Sequence, residues 1–168
     1  MKEPVTHDGS SDAGDFRLED FLPYRLSVAA DTVTRIITRH HLAQSGLGMS
    51  EWRLLAAVGR FTVLSPTAAG ARTSMDKVKV SRAAASLVAR GLLRQSQDPD
   101  DGRGRLLRLT RKGASVYATI SPTAGKIEET LATGLNKSEW STLNRALGKL
   151  MAHAKSVLGD VEGEEEEE

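Results

Sequence analysis

The sequence predicts a mainly α fold carrying one small β-hairpin. Of its 168 residues 39% are hydrophobic but only 4% aromatic, a balance that suits helices packed through aliphatic side chains better than an all-β sandwich. Apolar residues recur at helical spacing near both ends of the chain. Between residues 92 and 110, by contrast, short apolar runs flank a segment rich in Asp, Pro and Gly, the pattern of a hairpin. A chain of this length fits one domain of ordinary size.

Taken in order, residues 1–15 hold little that could be buried and are expected to form a disordered acidic tail. Leu22, Leu26, Ala29, Ala30, Val33 and Ile37 then trace one amphipathic helix from about Leu18 or Pro23 to Ala43, ended by Ser45, Gly46 and Gly48. Ser50 is the expected cap of a short helix through Trp52, Leu55 and Val58, with Met49 and Leu54 as its hydrophobic staple. Ser65-Pro66 opens another short helix, since proline in the first turn loses no hydrogen bond. Asp76 caps the next, which runs to Arg90 and stops at Gly91.

Leu92 to Ser96 and Arg105 to Thr110 read as two strands around an exposed tip, Gln97 to Gly104. Thr110 caps a further helix that is expected to bend or break near Ser121-Pro122. The last helix has the clearest start: Asn136 and Glu139 make a capping box, with Leu135 and Trp140 as staple. Leu143, Leu147, Leu150, Ala154 and Val157 form its apolar stripe, suited to burial in its own domain or against a second copy.

Net charge is only +1, but the charges are unevenly placed. From Arg60 to Ser115 there are twelve Lys or Arg against four Asp, whereas the last seven residues include six Glu. Attraction to a polyanion depends on local potential, so a basic middle between acidic ends suits a domain with one phosphate-facing surface. Cysteine is absent, which excludes disulfides, thiolate metal sites and cysteine nucleophiles within this sequence. No apolar run reaches signal-peptide or membrane-span length, so a soluble, cytoplasmic protein is expected.

Three short helices followed by a hairpin suit a helix-turn-helix, in which one helix braces a second against base edges. On a helical wheel, Val80, Ala84, Leu87, Val88 and Gly91 fall in one sector, and Lys79, Arg82, Ala85, Ser86 and Ala89 in the opposite one. Cations, a hydroxyl and small side chains on the outer face would allow close approach to the major groove. At the hairpin tip, an Asp beside an Arg can hold its guanidinium in the direction a narrow minor groove requires. The groups so presented are Lys79, Arg82 and Ser86 on the helix and Arg103 and Arg105 at the hairpin tip, where Asp98, Asp100 and Asp101 lie within a few residues.

These residues resemble the MarR family of winged helix-turn-helix regulators from roughly Tyr24 to Val157. The resemblance is carried by Ser50-Glu51-Trp52-Arg53-Leu54-Leu55, by Val80-Ser81-Arg82 with Leu87-Val88-Ala89-Arg90-Gly91-Leu92, and by Asp98-Pro99-Asp100-Asp101-Gly102-Arg103 with Leu109-Thr110-Arg111-Lys112-Gly113. It implies a winged helix-turn-helix over residues 49–113, flanked by dimerisation helices over 16–48 and 114–158, with an acidic tail over 159–168. It further implies a homodimer on pseudo-palindromic double-stranded DNA, with Ser81 and Arg82 facing the major groove, Arg103, oriented by Asp101, the minor groove, and Ser65, Thr67, Lys77, Lys79, Ser86 and Arg105 as further DNA contacts. Gly102 stands where many members carry a charge, which puts one phosphate contact in doubt. Many members release DNA when an aromatic or phenolic acid binds, and Arg35 and Trp52 match positions lining such a site in some of them.

The alternatives are an architectural protein using the same cations without sequence preference, a metal-sensing regulator, and an enzyme. No phosphate-binding Gly-rich loop, His-Glu-x-x-His or nucleophile elbow is present. His40 and His41 point about 100° apart on a helix and are poorly placed to share a metal. The expectation is a transcriptional regulator, a repressor released by a small effector, with no cofactor, no metal and no catalytic residue.

Overall fold

The structure is a computed structural model that describes residues 16–99 and 104–165, without the side chains of residues 40, 41 and 159–165. By its contacts the chain divides into two units, Met1–Ile120 and Ser121–Glu168. The described part of the first unit holds four helices, the hairpin and the start of a fifth helix; the second holds the rest of that helix and a sixth.

A 3-10 turn at Leu18–Asp20 leads into α1 (Leu22–Ile37), with Pro23 in the first turn, where its missing N–H is no loss. A π-helical turn, Thr38–Leu42, prolongs it. Then α2 (Met49–Phe61), α3 (Pro66–Thr73) and α4 (Lys77–Ala89) follow in close succession. Ser65 Oγ caps α3 by accepting from the Ala68 amide at 3.1 Å, and Asp76 caps α4 by accepting from the Lys79 amide at 2.7 Å. The start of α2 differs from expectation, because its cap is Gly48 and not Ser50. Glu51 explains the difference: from the first turn its carboxylate reaches back to accept from the Gly48 amide at 2.7 Å.

β1 (Leu93–Gln97) and β2 (Arg105–Leu109) pair antiparallel from Leu93 opposite Leu109 to Gln97 opposite Arg105. A bridge from Leu64 to Leu107 ties the hairpin to the segment before α3. Leu42, Leu54, Leu55, Val58, Val80, Leu87, Leu93 and Leu107 are the largest fully buried side chains, so α2, α4 and the hairpin share one aliphatic core.

α5 (Arg111–Ala132) starts where Thr110 Oγ1 accepts from the Gly113 amide at 3.0 Å. It runs through Pro122 without the expected break. Proline costs the hydrogen bond of its own nitrogen and crowds the carbonyl one turn back, yet helical backbone continues on both sides of it here. α6 (Lys137–Glu165) begins at the reciprocal capping box, Glu139 amide to Asn136 Oδ1 at 3.0 Å and Asn136 amide to Glu139 Oε2 at 2.8 Å. Its helix extends past residue 158 into the acidic run that the sequence suggests is a tail.

Two glycines are set by close approach. A Cβ on Gly59 would lie 2.9 Å from ring carbons of Tyr117, and one on Gly113 would lie 1.9 Å from the Leu92 carbonyl oxygen. Gly113 therefore lets α5 lie directly on the backbone leading into β1. Gly113→Ala is expected to destabilise the fold by at least about 2 kcal/mol, because the obstacle is backbone that must move. Urea unfolding would test this, and wild-type stability in the variant would contradict the packing.

Candidate nucleic-acid interface

α4 is mounted on α2 and α3 through Val80, Ala83, Ala84 and Leu87, all buried. This shifts the inward sector by about a tenth of a turn from the ideal wheel. Ala83 is inside, whereas Val88, expected inside, is 37% exposed. Contact with two helices at once favours the small Ala83 at the seam.

The far end of α4 is fixed by a polar cluster. Ser86 Oγ donates to Glu51 Oε1 in a short hydrogen bond. Arg90 Nη1 lies 3.4 Å from Glu51 Oε2 and donates to the Gly46 carbonyl at 3.0 Å, while Nη2 donates to the Ser45 carbonyl at 2.7 Å. Lys112 Nζ donates to the Arg90 carbonyl at 3.0 Å, and Thr110 Oγ1 donates to the Gly91 carbonyl at 2.6 Å. One carboxylate thus joins the loop before α2 to the last turn of α4, with the start of α5 added through backbone carbonyls.

Burial of Glu51 opposes its charge, but hydrogen bonds from Ser86 and Gly48 and the nearby Arg90 outweigh it, so its pKa falls below the ordinary value of 4.5. Stability from the charged carboxylate is therefore complete above that value and is lost as pH falls through the lowered folded-state pKa. Glu51→Gln is expected to cost about 1–3 kcal/mol at neutral pH and to flatten the loss of stability in acid. Unfolding curves from pH 7 to pH 3 test this; a variant with the wild-type pH profile would contradict it.

Lys77, Lys79, Ser81 and Arg82 are all exposed on α4, and Thr67 is exposed in the first turn of α3. Ser65 is half-buried with its oxygen engaged as a cap. Lys79 is held 3.0 Å from Asp76, at the head of the helix. Ser86 is a correction: its hydroxyl is turned to Glu51, as α4 crosses α2 at this point, and is not presented outward for DNA. Arg105 is exposed at the start of β2, whereas Arg103 and its expected partner Asp101 lie outside the described residues. Arg35 is exposed on α1, 3.4 Å from Thr32 Oγ1. Trp52 is half-buried and stacks on Tyr117 with ring centroids 6.5 Å apart.

Two features escape the sequence reading. Between α3 and α4 lies a cleft of about 530 Å³ lined by Thr67, Met75, Lys77, Ser81, Ala85 and Gln95. Three of the expected DNA contacts thus border one concave surface. On the hairpin, Arg94 and Arg108 stand directly opposite each other, and Arg108 Nη1 donates to Ser96 Oγ at 2.8 Å. Like charges placed so are mutually repulsive, and together with Arg105 they keep the wing strongly basic.

A three-helix unit with an exposed cationic helix and a basic hairpin defines a winged helix-turn-helix of the kind that binds nucleic acid. The sequence model of the MarR family matches residues 45–104. A probable transcriptional regulator from Pseudomonas aeruginosa is 27% identical, with a TM-score of 0.74 over 80% of this chain and 99% of that one. Bordetella bronchiseptica BpsR, solved in work on regulation of its DNA binding by 6-hydroxynicotinic acid, is 26% identical, with a TM-score of 0.70 over 77% and 97%. The MarR protein of E. coli, as a Cys-to-Ser variant with operator DNA, shares the fold at 21% identity, with a TM-score of 0.72 over 81% and 99%. Comparison with curated proteins returns no match. Over residues 45–104 the chain thus matches the MarR family, and its fold is that of winged helix-turn-helix transcriptional regulators.

Proposed function

We propose that this regulator is a homodimeric, sequence-specific repressor that binds pseudo-palindromic double-stranded DNA and releases it when a small aromatic or phenolic acid binds. The observation that carries the reading is that Lys77, Lys79, Ser81 and Arg82 are all exposed on a helix anchored through Val80, Ala83, Ala84 and Leu87. In this reading Ser81 and Arg82 contact base edges, Ser65, Thr67, Lys77, Lys79 and Arg105 contact phosphates, and Arg103, oriented by Asp101, enters the minor groove. Such a protein works in the cytoplasm.

Dimerisation is supported by apolar surface left open on the terminal helices. Leu22 and Val28 on α1 are 56% and 45% exposed, and Leu143, Leu150 and Val157 on α6 are 41%, 41% and 49% exposed. Large apolar side chains repeated along a helix face call for a second surface. An organic-acid effector is supported by the regulation of BpsR by 6-hydroxynicotinic acid. Arg35 would meet the carboxylate and Trp52 the ring.

Two variants separate the parts of this reading. Arg103→Ala is expected to keep the dimer folded, weaken operator binding, and reduce the slope of log affinity against log salt by about 2, one contact per subunit. Unchanged affinity in a folded variant would remove the wing from the interface. Leu147→Glu is expected to give a monomeric mass by light scattering, and a dimeric mass would exclude this stripe from the interface.

A further inference from the structure

Among the described residues of α2, α3, α4 and the hairpin, Val78 and Val88 are the only large apolar side chains left exposed. Those on α1 and α6 have an account in dimerisation; Val78 has none. It is 58% exposed and sits between Lys77 and Lys79. At about 100° per residue, Val78, Arg82, Ala85 and Ala89 fall within about 60° of one another. All four are exposed, and they lie opposite the buried Val80, Ala83, Ala84 and Leu87. Val78 thus stands at the centre of the outward stripe, near the end of the helix where a recognition helix meets base edges.

An apolar branched side chain at the floor of the major groove has one complementary base group, the 5-methyl of thymine. The neighbouring Ala85 and Ala89 add no bulk that would hold the helix away. We infer that Val78 is a specificity-determining residue that reads a thymine methyl in each half-site; this rests on the DNA-binding reading above.

Thymine methyls can be removed singly by deoxyuridine, which leaves base pairing intact. The chain's own upstream DNA would be footprinted, and each protected thymine replaced in turn, symmetrically in both half-sites. For the wild type, one such replacement is expected to weaken binding about threefold to fivefold per half-site, the worth of one methyl removed from water. Val78→Ala should bind the unmodified DNA more weakly by a similar factor and be indifferent to that replacement, with its melting temperature unchanged, whereas Ser81→Ala should keep the sensitivity. A selective wild type indifferent to every replacement, or a Val78→Ala protein that keeps full sensitivity, would overturn the inference and leave the proposed function standing. A wild type that does not prefer its upstream DNA to a scrambled duplex would overturn both.

Discussion

The half-buried carboxylate of Glu51 accepts from Ser86 on α4 and from the Gly48 amide that starts α2, with Arg90 at the end of α4 beside it. Helices joined only through aliphatic contacts can slide by small steps at little cost, since such contacts have no direction. Hydrogen bonds to a charged acceptor do have direction, and they are stronger than neutral ones. The exposed face of α4 lies away from this cluster, so its orientation depends on where Glu51 and Arg90 hold its last turn. The same cluster supplies the polar counterpart to a core built mainly from aliphatic side chains.

Around that anchor the remaining parts serve one surface. Thr110 and Lys112 satisfy carbonyls at the end of α4, and Gly113 lets α5 lie on the chain entering β1. The hairpin and α4 are therefore fixed to a common support. Their cations are left unneutralised to a large extent: among the described residues of the basic segment, Lys79 with Asp76 and Arg90 with Glu51 are the ion pairs formed. Arg82, Arg94 and Arg105 stay exposed. Cations left without partners cost the free protein some self-repulsion, which phosphate relieves.

Much of this was legible in the sequence because local chemistry governs it. Ser65, Asp76, Thr110 and Asn136 all cap helices as their residue types suggest, and the hairpin follows its turn-rich tip. Misreadings arose where tertiary contact overrode a local rule. Ser50 is a better cap than Gly48 by residue type, yet Glu51 is held by α4 in a position that serves Gly48. Ser86 falls outward on an ideal wheel, but the crossing with α2 draws its hydroxyl inward, and Ala83 replaces Val88 at the seam for the same reason. The exposure of Val78 was not legible, because a valine in a helix reads as core from the sequence.

The most direct test of the account is fluorescence-anisotropy binding of the intact protein to its own upstream DNA and to a scrambled duplex, each at two salt concentrations. The account predicts at least about a thousandfold preference for the upstream DNA, with affinity for both falling steeply as salt rises. Equal affinity for the two duplexes would reduce the basic surface to a non-specific polyanion contact. No binding to either would show that α4 and the wing do not form a DNA-reading surface in this chain.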